Sequence, residues 1–87
     1  MSDEELIDFP TRFPVKVMGR NTESFVSHAE SLVLQHTDGA AALAVASRPS
    51  TNGRFLSVTI DITARSREQL DASYQSLTDD PEVLMAL

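Results

Sequence analysis

The stretch from Arg54 to Ala64, RFLSVTIDITA, limits the fold more tightly than any other part of the chain. Leu56, Val58, Ile60 and Ile62 occupy one side of an extended segment, and Phe55, Ser57, Thr59, Asp61 and Thr63 the other. Successive strand residues point to opposite faces of a sheet, so this pattern predicts an antiparallel strand with one buried and one wet face. Asn52-Gly53 precedes it, and Pro49 to Gly53 reads as the turn of a hairpin. The preceding arm, Ala40 to Ser47, is alanine-rich and has high helix propensity. Its short length between Asp38-Gly39 and Pro49 nevertheless favours a strand.

Two further strands and two helices complete the pattern. Phe13 to Met18 alternates Phe13, Val15 and Val17 with Pro14, Lys16 and Met18, and Gly19 ends it. Asn21 or Thr22 is placed to cap a helix whose apolar face carries Phe25, Ala29, Leu32, Val33 and His36. That helix should stop near residues 35–37, before the Asp38-Gly39 turn. Ser66 to Gln69 fits a capping box, and Leu70, Tyr74 and Leu77 form the stripe of a second helix, broken at Asp79-Asp80-Pro81. Residues 82–87 close as a short strand.

The order β-α-β-β-α-β predicts an α+β ferredoxin-like sandwich: a four-stranded antiparallel sheet, order 4-1-3-2, with two helices on one face. The expected core is Phe13, Val15, Val17, Phe25, Ala29, Leu32, Val33, Leu56, Val58, Ile60, Ile62, Leu70, Tyr74 and Leu77. Residues 1–87 read as a single domain, with 1–8 a mobile acidic lead.

Composition excludes several chemistries. The chain has no cysteine, hence no disulfide, thiolate nucleophile or cysteine metal site, and suits a reducing cytoplasm. A net charge of −6 with seven basic residues argues against nucleic acid and against an anionic membrane surface. The start MSDEELIDFP is acidic, unlike a signal peptide, and no apolar run approaches the ~18 residues that span a bilayer. RNA-recognition motifs share this element order, but the open face offers a single aromatic, Phe55.

No catalytic constellation emerges. His28 and His36, eight helical residues apart, are separated by about 12 Å along the axis, too far to share a metal ion. His28 reads as a solvated helix residue and His36 as a cap or packing residue at the helix end. Asp3-Glu4-Glu5 and Asp79-Asp80 read as solvated acidic segments. The serines lack a G-x-S-x-G context, and three glycines cannot form a dinucleotide or phosphate loop. No enzyme activity, cofactor or metal is expected. The uncovered sheet face, with Lys16, Met18, Phe55, Ser57, Thr59 and Thr63, is left as a wet surface or an interaction face. On it Lys16 and Asp61 are placed to pair across adjacent strands, worth at most about 1 kcal/mol if exposed.

Four segments carry a family resemblance: Phe9-Pro10, Phe13 and Lys16-Val17-Met18-Gly19; Gln35-His36 and Gly39; Pro49-Ser50, Gly53, Phe55 and Ser57-Val58; and Met85 with Leu87. Together they resemble the YbeD-like family of small bacterial proteins of unknown function, over nearly the whole chain. The resemblance implies a ferredoxin-like fold similar to the ACT-type regulatory domain of phosphoglycerate dehydrogenase, which binds an amino acid at a domain interface. A link to lipoate metabolism has been suggested for the family from gene neighbourhood. By that analogy a ligand would meet Met18, Gly19, Arg20 and Asn21, where glycine admits close approach and a helix N-terminus can hold a carboxylate. The expected function is a non-catalytic regulatory or adaptor domain, with a homodimer, a metabolic enzyme or a small metabolite as partner. The alternative is a protein-interaction module using Lys16, Phe55, Ser57 and Thr59 of the open face with no small ligand.

Overall fold

The computed structural model describes residues 8–87; all but Asp8 of the acidic lead therefore lies outside the described residues. The elements are β1 (Thr11–Arg20), α1 (Phe25–Leu34), β2 (Ala44–Pro49), β3 (Phe55–Ala64), α2 (Arg67–Asp79) and β4 (Val83–Ala86). The sheet runs β2-β3-β1-β4 with every pairing antiparallel, which is the expected ferredoxin-like order.

The alternation of β3 sets the core. Val58, Ile60, Ile62 and Ala64 are fully buried, and β1 adds Val15 and Val17 across a continuous register from Thr11↔Ala64 to Arg20↔Phe55. Phe25, Ala29 and Val33 of α1 and Leu70 and Leu77 of α2 close the layer. Phe13 and Tyr74 are only partly buried, meeting edge to face at 6.5 Å. Ala64 belongs to the core although a lone alanine gives no sequence signal.

Pro14 lies inside β1 without cost to the ladder. Lys16 donates its N–H to Leu87 on the β4 side. Pro14, two residues earlier, turns its nitrogen toward the same side, where β4 no longer runs.

Several local expectations need correction. The first helix is entered at Ser24, with no side-chain cap bond. Asn21 does not cap, because its side chain is drawn 3.0 Å from the Gly53 carbonyl. At the other end Thr37 Oγ1, not His36, bonds the Leu34 carbonyl, and the His36 ring instead reaches Ser76 Oγ at 2.7 Å. β2 begins at Ala44 rather than Ala40. In α2 Ser66 caps as expected, accepting from the Gln69 N–H at 3.1 Å. The Gln69 side chain returns to the Arg65 N–H instead of Ser66, and its amide donates to the His36 carbonyl at 2.8 Å.

Candidate functional site

Three places carry exposed chemistry. The first is the end of β1 and the turn that follows it: the strand does not stop at Gly19 as expected but pairs through Arg20, so Met18, Gly19 and Arg20 are strand residues and only Asn21 lies in the turn. Gly19 is buried, and a Cβ there would stand 2.3 Å from the Phe25 ring and 2.7 Å from the Glu82 carbonyl oxygen. Its missing side chain thus admits the Phe25 ring. The Asn21 N–H donates to the Arg54 carbonyl at 2.9 Å. Of the four residues expected to meet a ligand, Arg20 and Asn21 are exposed, and Arg20, with Thr22, Phe25, Pro81, Glu82 and Leu84, lines a cleft of about 160 Å³. Met18 lies apart from this cleft, on the open sheet face.

The second is that face. Lys16, Met18, Ser57, Thr59, Met85 and Leu87 surround a depression of about 100 Å³, which continues past Lys16, Ser57 and Thr59 into a shallower groove of about 360 Å³ against Ala46 and Arg48. Lys16, Ser57 and Thr59 of the expected interaction face therefore converge; Phe55, opposite Arg20 at the end of the ladder, stands apart. The expected Lys16–Asp61 pair does not form. Lys16 lies opposite Thr59, and Asp61, opposite Pro14, takes two bonds from Arg12 (Nε at 3.1 Å, Nη2 at 2.6 Å). Arg12 is paired with Thr63, so its guanidinium reaches diagonally across two residues of β3, to the next side chain on the same face.

The third was invisible in the sequence. His28, expected to be solvated, places Nε2 2.9 Å from Asp80 Oδ2 and 3.0 Å from Glu82 Oε2. Because both neighbours are acceptors, Nε2 carries the proton and donates. Asp80 is fixed in turn by accepting the Glu82 N–H at Oδ1. The three ligand atoms lie within 4.8 Å of one another, a donor set that a divalent cation could use. The His28 separations are those of hydrogen bonds, and as it stands the arrangement is a clasp joining α1 to the segment that leads into β4.

The Asp80 hydrogen bond, opposed by desolvation and aided by both carboxylate charges, raises the His28 pKa above its ordinary 6.5. The same bond lowers that of Asp80 below 3.8. A raised histidine pKa contributes stability fully present below the unfolded value and lost as pH rises through the folded one. A depressed carboxylate contributes stability lost as pH falls through its folded value. The clasp is therefore strongest between about pH 4 and 6.5. His28→Gln should lower stability there by up to about 1 kcal/mol, given its partial exposure, and by less at pH 8. Thermal melts of both proteins at pH 5.5 and pH 8 check this; an equal loss at both would mean that the imidazolium is not the source.

Comparison with known proteins places this geometry in a family. The model described as Protein of unknown function (DUF493) matches residues 4–87. The chain belongs to the DUF493 family. A UPF0250 protein of Chromobacterium violaceum is 46% identical over 89 residues, covering all of both chains. One of Nitrosomonas europaea is 40% identical over 87 residues, again covering both. These are YbeD-like proteins, as the FP…KVMG resemblance implied. The solution structure of protein HP0495 from H. pylori superposes with a TM-score of 0.73 at 16% identity, covering 93% of this chain and 85% of that one. It supports the DUF493 fold as ferredoxin-like. The family is one of unknown function, and no catalytic family is indicated. No helix among the described residues is long and apolar enough to cross a membrane.

Proposed function

We propose that this DUF493 protein is a non-catalytic adaptor domain that binds a protein partner through the open face of its sheet. One observation carries the reading: the face opposite the helices is uncovered and holds a continuous depression across the strands, with Met85 50% and Leu87 70% exposed at one end. Large apolar side chains grouped on a surface mark contact sites more often than isolated ones do. A photo-crosslinking residue at Ser57 should capture a discrete partner in the source cell, while the same residue at Glu68 on α2 should not. Met18→Asp should abolish the Ser57 adduct, with an unchanged circular dichroism spectrum. Equal capture from both positions would sink the reading.

A second reading has its own observation. Arg20 and Glu82 put opposite charges beside the Phe25 ring in the 160 Å³ cleft, a chemistry suited to a small zwitterionic metabolite. This is the ACT-like sensing version. Titration with amino acids and lipoate-pathway metabolites should then shift the Met18–Asn21 amides; static amides remove it. A homodimer built around that cleft would show in light scattering.

A further inference from the structure

Charge is divided between the two sides of the molecule. Asp61 is the one carboxylate on the four strands, and Arg12 already holds it at 2.6 Å. Among the described residues the remaining acidic side chains fall on the helices and connections. Lys16 and Arg48, by contrast, both line the open-face groove, and neither makes an ion pair among the described residues. A chain of net charge −6 thus presents a cationic groove on its uncovered face. β3 separates the strands bearing these two cations, and Arg48 is aligned with Met18 rather than with Lys16, two residues along the ladder, so their backbones lie roughly 12 Å apart on a diagonal. That is the span of about three to four extended residues. Beside Lys16 the groove drops into the apolar depression of Met18, Met85 and Leu87.

We propose that this groove receives an extended acidic polypeptide segment crossing the strands, with carboxylates on Lys16 and Arg48 and one apolar side chain in the Met18–Met85–Leu87 depression. The assignment rests on the adaptor reading and names the partner's chemistry. Complementary charge across such a contact sets orientation and selects against wrong partners. Nucleic acid fits less well: the aromatic on these strands' open side, Phe55, is half-buried at the far end, leaving no platform for stacked bases.

The test uses the full chain and three fluorescein-labelled probes: a peptide with glutamates flanking one leucine, its lysine counterpart, and a single-stranded oligonucleotide. The acidic peptide should bind and shift the Lys16, Ser57 and Thr59 amides. Lys16→Glu with Arg48→Glu should weaken it at least about tenfold, equivalent to about 1.4 kcal/mol. The same variant should bind the lysine peptide better than wild type does. That gain should come with shifts confined to the Ser57 and Thr59 amides while the core amides stay in place, which separates charge recognition in the groove from structural damage and from the variant's larger net negative charge. Oligonucleotide binding stronger than that of the acidic peptide would overturn the proposal. So would equal affinity for both peptides, or amide shifts explained by self-association in light scattering. A specific Ser57 crosslink without acidic-peptide binding would leave the adaptor reading standing and remove this one.

Discussion

Replacing Phe25 with alanine is expected to cost about 3–5 kcal/mol of folding free energy, the largest single loss predicted here. The side chain is 2% exposed and is among the largest fully buried ones. Its ring lies in the space above Gly19, next to the Glu82 carbonyl. Truncation would open a cavity where β1, α1 and the entry to β4 meet. At about 0.05–0.15 kcal/mol per residue, a domain of this size holds only roughly 4–13 kcal/mol in total. Phe25→Ala should therefore move the urea midpoint far down and leave part of the population unfolded at 37 °C. A loss below about 1 kcal/mol would show that the neighbouring chain collapses into the gap and that the ring does not hold β1, α1 and the entry to β4 apart.

Gly19→Ala attacks the same junction from the other side. The added methyl would meet ring atoms at 2.3 and 2.4 Å and backbone oxygen at 2.7 Å. All are well inside van der Waals contact, and one belongs to backbone that cannot rotate away. Overpacking of this kind costs about 1–3 kcal/mol, and the upper end is expected. Combining Gly19→Ala with Phe25→Leu should cost less than the two single changes added, because a smaller side chain relieves the clash. Strict additivity in denaturation experiments would mean that methyl and ring do not compete for one space. The backbone angle at Gly19 is not the issue, since positive φ is confined to Asp38, Gly39 and Gly53 among the described residues. Gly19 is needed for volume.

That difference shows what could be read in advance. In the sequence Gly19 marks a place where another group can approach the backbone closely, and a ligand is one such group. What approaches is the chain's own Phe25, six residues later. Close approach at glycine was the right physical reason, but sequence does not say which group fills the gap. Of the four residues expected to meet a ligand, Arg20 lines the 160 Å³ cleft and Met18 the separate depression on the open face, and Glu82 comes to oppose Arg20 only through the pairing of β4 with β1. His28 was missed for a similar reason. Its partner Asp80 lies 52 positions away, and no local pattern announces an ion contact across such a separation.

What the sequence determined by itself is periodic and local. The two-residue alternation of β1 and β3, the helical stripes, the Ser66 cap and the 49–53 turn each follow from interactions within a few residues. Together with the handedness of crossovers they are sufficient for the sheet order. The FP…KVMG segment likewise carries the family resemblance without any tertiary contact. Tertiary structure alone decided everything that depends on which distant side chains become neighbours: the ring over Gly19, the His28–Asp80–Glu82 clasp, the Arg12–Asp61 pair in place of Lys16–Asp61, and the cationic groove on an acidic protein. Such contacts rest on register and packing between elements, where a displacement of one strand position changes the partner, and composition records only their sum.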